Sequence, residues 1–159
     1  MKPIQYVVGD ATWPEGEGNK IIAHICSDEG GWGRGFVMAI SEQWPEPEEA
    51  YRQWFRGRGE NDFALGAVQT VQVEDGVWVA NIIGQHGTRR GAAGEPPIRY
   101  EAVEEALGKV AAEAKRRSAS VHMPRIGCGL AGGRWDVIEA IVERMLCKQE
   151  IEVFVYDLE

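Results

Sequence analysis

Residues 123–135, MPRIGCGLAGGRW, carry four glycines between Gly127 and Gly133. The stretch follows a short predicted strand, Ala119–Met123, and precedes a segment whose apolar residues recur at helical spacing from Trp135 onward. At such a junction the first N–H groups of a helix lack partners and carry partial positive charge, and glycines let the backbone approach an anion closely. The stretch therefore predicts a phosphate-binding loop between a strand and a helix.

A second glycine-rich stretch occupies an equivalent place. Residues 26–35, CSDEGGWGRG, connect the apolar predicted strand Lys20–Cys26 to a helix in which Val37, Ile40 and Trp44 fall at helical spacing. Open α/β sheets bind ligands beyond the carboxyl ends of their strands, so two such loops side by side predict a diphosphate held between two helix ends. The alternative for each loop is a tight turn without a ligand. Neither loop matches the nucleotide-kinase or the dinucleotide-binding pattern.

The remaining segments interleave strand and helix patterns. Asp75-Gly76 predicts a hairpin turn, and Gly84–Pro97 is a loop long enough to suggest a functional cover. Strands are predicted at Ile4–Val8, Gly66–Val73, Val77–Ile83 and Glu152–Leu158, and helices after Pro47, over Arg99–Arg117 and from Trp135. This order predicts an α/β domain with helices on both faces of one sheet.

Composition limits the classes of function. The 159 residues carry a net charge of −8, which repels polyanions and argues against general nucleic-acid binding. The three cysteines are widely spaced, so we expect free thiols in a reducing compartment and no zinc site. Neither a secretory signal nor a membrane-spanning apolar run is visible, so we expect a cytoplasmic protein with no membrane partner and no cofactor.

Four segments together resemble the macrodomain family. They are GD at residues 9–10, AHICSDEGGWGRGF at 23–36, MPRIGCGL at 123–130 and VYDL at 155–158. In order and spacing they look like the branch that contains the terminal ADP-ribose protein glycohydrolase and the yeast ADP-ribose 1″-phosphate phosphatase. The resemblance implies a single macrodomain over residues 1–159, a three-layer α/β/α sandwich with a mixed central sheet, and ADP-ribose or an ADP-ribosylated protein as partner.

The resemblance also implies which residues bind the ligand. Asp10 would accept a hydrogen bond from the adenine amino group with Ala11 beside it, and Tyr156 would lie at the adenine edge. Trp32, which we expect to be the one tryptophan outside the core, would cover the distal ribose or the diphosphate. The implied ligand residues in the loops and the hairpin are Ser27, Gly31, Trp32, Gly33, Gly35, Phe36, Gln85, Ile126, Gly127, Cys128, Gly129 and Leu130.

Two positions depart from the glycohydrolase pattern. In that enzyme a lysine at the end of the hairpin's second strand attacks the distal ribose, and an aspartate directly after GCGL assists. The corresponding residues here are Gln85 and Ala131. Glutamine forms no covalent adduct with a sugar carbon and alanine transfers no proton, so a lysyl mechanism is excluded. Any catalysis must therefore use water.

Ser27 and His86 are the candidate catalytic residues. His86 lies in the long loop and has a pKa range suited to acid–base chemistry; the alternative is a solvated loop histidine. Ser27 could position a water or bind a ribose hydroxyl; the alternative is a cap for the following turn. His24 and His122 lie in apolar strands, which favours hydrogen-bonded core residues. Cys128 lies among backbone N–H groups that could lower its pKa, yet a nucleophilic role is disfavoured because no base is nearby in sequence.

Four functions follow from these observations. The first is a hydrolase that removes mono-ADP-ribose from acidic residues of proteins with a water nucleophile. The second is a phosphatase acting on ADP-ribose 1″-phosphate. The third is an ADP-ribose-binding module without turnover, which the missing lysine and aspartate favour. The fourth, a nucleotide-binding α/β domain unrelated to ADP-ribose, is disfavoured by the joint occurrence of the motifs.

Overall fold

The computed structural model describes residues 1–158, which form six strands and four helices. The strands are β1 (Gln5–Val8), β2 (Lys20–Ser27), β3 (Val68–Glu74), β4 (Val77–Gln85), β5 (Ser120–Met123) and β6 (Val153–Asp157). The helices are α1 (Phe36–Gln43), α2 (Glu46–Arg56), α3 (Tyr100–Arg117) and α4 (Trp135–Met145), with one further 3₁₀ turn at Cys147–Gln149. Every predicted element is present, with small differences at its ends.

The strands form one mixed sheet in the order β1-β6-β5-β2-β4-β3. Neighbouring strands are parallel except for β3 and β4, which form an antiparallel hairpin around Asp75-Gly76. Gly76 has φ +73°, a left-handed conformation that favours glycine and closes this turn. Because β1, β2, β4, β5 and β6 run in the same direction, their carboxyl ends meet at one edge of the sheet, which we call the carboxyl edge.

Each face of the sheet is covered by one pair of helices. On one face, Val103 and Leu107 of α3 and Ile138 of α4 pack in a core that includes Ile21 of β2. On the other face, Ile40 and Tyr51 of α1 and α2 pack in a second core that includes the next residue, Ile22. Successive residues of a strand face opposite sides, so a continuous apolar strand requires a helical layer on each side. The α/β/α sandwich with a mixed central sheet is therefore confirmed.

The long loop differs from its prediction. Strand β4 continues through Gln85, so the connection to α3 begins at His86 instead of Gly84. Its return half is fixed by backbone hydrogen bonds from His86 N–H to the Pro97 carbonyl (2.8 Å) and from Ile98 N–H to the Ala131 carbonyl (3.0 Å). These hydrogen bonds join the two ends of the long loop to each other and join its C-terminal end to the second glycine-rich loop.

The expectation that Trp32 lies outside the core is wrong, although the residue also lines a cavity beside Ser27. Trp32 is only 3% exposed, and its indole Nε1–H donates a hydrogen bond to Ser41 Oγ at 2.7 Å. Its ring packs against Tyr51 of α2, so the flanking glycines turn the backbone and the side chain points into the core. Trp13 is the exposed tryptophan instead, at 69%.

Within residues 1–158, each helix is too short or too polar to cross a membrane.

Candidate functional site

A cleft runs along the carboxyl edge and consists of three adjoining cavities. The central cavity has a volume of about 440 Å³, and its walls include Arg34, Gly35, Phe36, Gln85, Pro124, Arg125, Gly127, Gly129 and Leu130. The Ser27 cavity, of about 280 Å³, adjoins it through Arg34, Gln85 and Leu130. The Tyr156 cavity, of about 80 Å³, adjoins the other end through Phe36 and Pro124. The cleft therefore has room for an extended, nucleotide-sized ligand.

Residues 28–35 form the first wall, and helix α2 holds them in place. The Tyr51 hydroxyl donates to the Ser27 carbonyl and accepts the N–H of Gly30 at 3.1 Å. Gly35, directly before α1, has φ +82° and ψ −150°, a conformation essentially confined to glycine. Within residues 1–158, the N–H groups of residues 31–37 make no hydrogen bond. A row of N–H groups at a helix N-terminus is a favourable place for an anion.

Residues 124–133 form the second wall, where close backbone packing requires glycine. Gly127 has φ +74°, and a Cβ there would lie 2.6 Å from Ile98 Cδ1. A Cβ on Gly133 would lie 2.5 Å from the Gly127 carbonyl oxygen, which already accepts the Gly133 N–H at 2.7 Å. Gly129 differs, because a Cβ there would meet nothing within 4 Å. Among the described residues, the N–H groups of Gly127, Gly129 and Leu130 find no acceptor.

The two walls approach each other over the cleft. Leu130 is 57% exposed, and its Cδ1 lies 3.5 Å from the position of a Cβ on Gly35. Arg34 and Arg125 both line the central cavity. Arg125 is held by a bidentate ion pair with Asp157 at 2.7 and 3.0 Å, whereas Arg34 has no ion-pair partner within residues 1–158. Arg34 therefore supplies a free positive charge despite the acidic character of the whole chain.

The Ser27 cavity contains hydroxyl and amide groups. Ser27 Oγ accepts the N–H of Glu29 at 3.0 Å, so the residue caps the turn and also lines the cavity. Because Oγ is the acceptor in this contact, the hydroxyl proton is available to a ligand or a water. Gln85 donates its side-chain N–H to the Gly87 carbonyl at 2.8 Å and lines both this cavity and the central one. Thr88 contributes a second hydroxyl.

His86 is attached to the first wall and does not line the cleft. Its Nδ1 lies 2.8 Å from Asp28 Oδ2, and the other Asp28 oxygen accepts the N–H of Gly87 at 2.9 Å. The Asp28 carboxylate raises the pKa of His86, which favours the protonated ring near neutral pH. Of the described residues, those lining the three cavities do not include His86. The position of His86 therefore does not support a role as a base within the cleft. The side chain lies at the rim, where it pairs with Asp28.

One cluster at this rim could hold a cation. Asp28, Glu29 and His86 bring one potential ligand atom each within 4.8 Å of one another. Glu29 and His86 are exposed. Oxygen and imidazole ligands of this kind suit a divalent metal, but the existing pair between His86 and Asp28 already satisfies part of the set. The predicted absence of a metal site stays a prediction.

The expectation that backbone N–H groups lower the pKa of Cys128 is wrong. Its partly buried thiol has a raised pKa because burial disfavours the thiolate. Sγ contacts the Ile126 carbonyl at 3.4 Å. Ala131, the residue after Leu130, has no acidic group. Its side chain is 4% exposed and belongs to the core. The second wall is therefore built for binding and not for proton transfer.

His24 forms part of the wall of the central cavity from within the sheet. Its Nε2 lies 2.6 Å from Asn81 Oδ1, and burial lowers its pKa to about 4. Its Nδ1 is buried and has no hydrogen-bond partner among the described residues. His24 is therefore neutral near pH 7, and only one of its two ring nitrogens has the hydrogen bond expected of a core histidine.

The Tyr156 cavity collects the residues expected at an adenine. Its lining includes Gly9, Asp10, Ala11, Phe36, Pro124 and Tyr156. Asp10 Oδ1 accepts hydrogen bonds from Thr12 N–H at 2.8 Å and from Thr12 Oγ1 at 2.7 Å. These two bonds fix the Asp10 carboxylate and leave Oδ2 as a free acceptor within residues 1–158. Asp10, Ala11 and Tyr156 are thus brought together although they lie at opposite ends of the chain.

Sequence reasoning missed several residues of the cleft. Arg34, Thr88, Ile25, Val37 and Pro124 line it without having been predicted. Arg34 could have been found, since it is the one basic residue within the first glycine-rich loop. Thr88 gave no signal, because its position depends on how the long loop folds back.

No protein-family model matches the chain. Several solved structures match nearly its whole length, and two of them illustrate the similarity. A protein of unknown function from Bacteroides thetaiotaomicron is 55% identical with a TM-score of 0.96, and the match covers 99% of each chain. A macrodomain protein from Streptomyces coelicolor is 56% identical with a TM-score of 0.87, and the match covers 97% of this chain and 98% of that one.

Curated relatives are more distant. The mouse chromodomain-helicase-DNA-binding protein 1-like is 33% identical over 96% of this chain, which spans only 17% of that protein's length. The ADP-ribose 1″-phosphate phosphatase of Candida albicans is 26% identical, covering 88% of this chain and 92% of the relative. The human ADP-ribose glycohydrolase OARD1 is 25% identical, covering 98% and 91%. Because identity to the Streptomyces macrodomain protein extends along nearly the full length of both chains, this chain belongs to the macrodomain family.

Proposed function

We propose that this macrodomain binds ADP-ribose in the cleft and hydrolyses the bond between mono-ADP-ribose and acidic residues of proteins. The observation that carries the proposal is the continuity of the cleft, in which two walls of unpaired N–H groups lie between the Tyr156 cavity and the Ser27 cavity. A diphosphate suits the middle of such a cleft, with one ribose on each side of it.

The ligand's orientation follows from the two end cavities. The adenine occupies the Tyr156 cavity, where the free Oδ2 of Asp10 accepts its amino group. The diphosphate lies in the central cavity near Arg34 and the N–H groups of Gly129 and Leu130. The distal ribose then reaches the Ser27 cavity, which is open to solvent and to an attached protein chain.

We expect water to be the nucleophile because Gln85 and Ala131 stand where the resemblance implies the lysine and the aspartate of the glycohydrolase. Water supplies the oxygen that bonds to the anomeric carbon of the distal ribose, and the protein carboxylate leaves with the bonding electron pair. The proton that the water loses passes to this carboxylate or to the solvent. The Ser27 hydroxyl donates a hydrogen bond to the water or to a ribose hydroxyl, and this hydrogen bond orients the water for attack. His86 acts from the rim, where its raised pKa makes it a proton donor or a positive charge near the departing carboxylate.

Named relatives support the class of substrate. The human relative is named as an ADP-ribose glycohydrolase and the Candida relative as an ADP-ribose 1″-phosphate phosphatase. Both names describe hydrolysis of a compound that contains ADP-ribose. The phosphatase is the second candidate function for this chain, and Arg34 favours it because a free guanidinium between the central and Ser27 cavities suits an additional phosphate.

The test combines binding with turnover. Purified protein is titrated with ADP-ribose by calorimetry, then incubated separately with glutamate-linked mono-ADP-ribosylated protein and with ADP-ribose 1″-phosphate. We expect binding and release of ADP-ribose from the modified protein. Binding without turnover of either substrate would leave only a binding module, turnover of the phosphate ester alone would select the phosphatase, and no binding would reject the site.

Variants at Ser27 and His86 test the roles of these residues. Ser27→Ala should lower kcat about 10-fold or more with a small change in ADP-ribose affinity, since it removes a group that orients the reacting water. His86→Ala should lower kcat less, because the ring lies outside the cleft. Glu60→Ala, at an exposed residue on the connection after α2, is the control and should retain wild-type kcat. Unchanged kcat in Ser27→Ala would remove Ser27 from the mechanism.

A further inference from the structure

A chain of hydrogen bonds crosses the sheet beneath the Tyr156 cavity. The Tyr156 hydroxyl lies 2.7 Å from Nδ1 of His122, and Nε2 of His122 lies 2.7 Å from Oγ of Ser120. The Tyr156 hydroxyl also accepts the backbone N–H of Glu15 at 2.8 Å. His122 is completely buried and stacks on Phe154, with ring centroids 4.8 Å apart. The chain joins β5, β6 and the loop between β1 and β2.

The proton positions in this chain follow from its ends. The Tyr156 oxygen accepts the Glu15 N–H, and the assignment that leaves no buried hydroxyl proton without a partner has the Tyr156 hydroxyl donating to Nδ1 of a neutral His122. The remaining ring proton lies on Nε2 and is donated to Ser120 Oγ. The Ser120 hydroxyl then donates to the Asn19 carbonyl at 3.4 Å. One neutral tautomer of His122 therefore satisfies each partner in turn.

The two ends of this chain hold the same loop. Glu15 and Asn19 both belong to the segment between β1 and β2, residues 9–19, whose Asp10 and Ala11 line the Tyr156 cavity. The Tyr156 ring also lies against this segment, 3.6 Å from the position of a Cβ on Gly9. The Tyr156 hydroxyl thus holds the loop that carries Asp10, at Glu15, and the same hydroxyl contacts His122.

We propose that His122 is a positioning residue for the adenine end of the cleft, acting through Tyr156 on the loop that carries Asp10. The inference rests on the proposed function for the identity of the ligand, but the hydrogen-bond chain itself is independent of it. His122 touches no ligand. Its Nδ1 accepts a hydrogen bond from the Tyr156 hydroxyl. This hydrogen bond keeps the hydroxyl oxygen oriented toward the backbone N–H of Glu15.

The surroundings of His122 keep it neutral. Burial and, to a smaller extent, the nearby Lys20 ammonium together lower the pKa of His122 to about 3. The other groups facing it are the Tyr156 hydroxyl, the Ser120 hydroxyl and the uncharged Phe154 ring; the Glu15 carboxylate acts on Tyr156. A protonated ring would donate from Nδ1 to the Tyr156 oxygen, which would leave the Tyr156 hydroxyl proton without its acceptor.

Two substitutions separate the acceptor role from mere packing. In His122→Asn the amide oxygen lies near the Nδ1 position and can accept the Tyr156 proton, whereas in His122→Gln the amide nitrogen lies near Nε2 and leaves Tyr156 without an acceptor. We expect ADP-ribose affinity to fall about 10-fold in His122→Gln and by no more than about 3-fold in His122→Asn, in line with the loss of one buried hydrogen bond. Tyr156→Phe should match His122→Gln, and combining the two should add little.

Two ligand-independent measurements accompany the titrations. Nitrogen NMR should show the Nε2–H tautomer of His122 in the wild type from pH 8 down to pH 5. Exchange of the Glu15 amide proton should be faster in His122→Gln than in His122→Asn. A protonated or Nδ1–H ring, or equal effects of Asn and Gln on Glu15 exchange, would overturn the proposal. If the wild type fails to bind ADP-ribose, the proposed function fails while these measurements still decide whether His122 positions the loop.

Discussion

At the scale of single residues, glycines of similar appearance in the sequence have different roles. Gly127 and Gly133 are required by packing, because a Cβ at either position would clash with Ile98 or with backbone. Gly129, between them, has open space on its side-chain side and lines the central cavity. Its role is therefore to leave room in the cleft, not to permit the fold of the loop.

Gly129 gives a direct test of where the phosphates bind. Gly129→Glu should abolish detectable ADP-ribose binding in calorimetry, since the carboxylate would occupy and repel the anion site, while the melting temperature should change little. Glu60→Ala, at an exposed residue on the connection after α2, is the control and should leave the affinity unchanged. Wild-type affinity in a folded Gly129→Glu variant would show that the pocket is misplaced.

At the scale of elements, helix α2 determines the shape of a loop to which it is not directly connected. Tyr51 is fully buried, and its hydroxyl bridges the Ser27 carbonyl and the Gly30 N–H. The spacing of Ala50, Tyr51, Trp54 and Phe55 in the sequence indicates one apolar side of this helix, and Tyr51 lies on it. The pattern does not indicate that the hydroxyl at its tip holds the first wall of the cleft, because that contact joins residues far apart in the chain.

Tyr51→Phe should therefore affect both stability and binding. Losing the hydroxyl leaves two buried backbone groups unsatisfied, which should lower the free energy of unfolding by about 1–3 kcal/mol in urea titrations. ADP-ribose affinity should fall several-fold, because residues 28–35 lose their fixed position. Arg52→Ala, which changes the exposed neighbour on the same helix, should leave affinity unchanged. Equal affinity in Tyr51→Phe would mean that the loop is held by other contacts.

At the scale of the whole molecule, the sheet buries two histidines in their neutral form. Burial lowers the pKa of His24 to about 4 and that of His122 to about 3. In the unfolded chain both titrate near pH 6.5, so below that pH the unfolded state binds more protons than the folded state. Their stabilising contribution is thus complete above pH 6.5 and is lost as the pH falls toward 4.

The free energy of unfolding should therefore fall by about 2–4 kcal/mol between pH 7 and pH 5, measured by urea denaturation. His122→Asn removes one of these titrating groups and should reduce the slope below pH 6.5 by about 1.4 kcal/mol per pH unit. The contribution of His86 to stability changes with pH in the opposite direction. Because its pKa is raised in the folded state, its pair with Asp28 stabilises the fold most below pH 6.5 and less as the pH rises through the folded-state pKa. Equal slopes in the wild type and His122→Asn would contradict burial of a neutral His122.

The sequence alone determined the order of elements, the α/β class and the two glycine-rich loops of the cleft. These features are local, because apolar periodicity and glycine content follow from the spacing of neighbouring residues. The family resemblance added Asp10, Ala11 and Tyr156, which the structure brings together at the Tyr156 cavity. The presence of Gln85 and Ala131, where the resemblance implies a lysine and an aspartate in the glycohydrolase, predicts a mechanism without a lysyl adduct.

Only the tertiary structure decided which side chains enter the cleft. Trp32 turns into the core, His86 is held at the rim by Asp28, and Arg34 lines the cleft without a partner. The link from Ser120 through His122 to Tyr156 likewise exists only after two strands pair. The physical reason is that a side chain's direction and partners depend on contacts between distant segments, whereas the spacing of residues along the chain fixes only the local backbone.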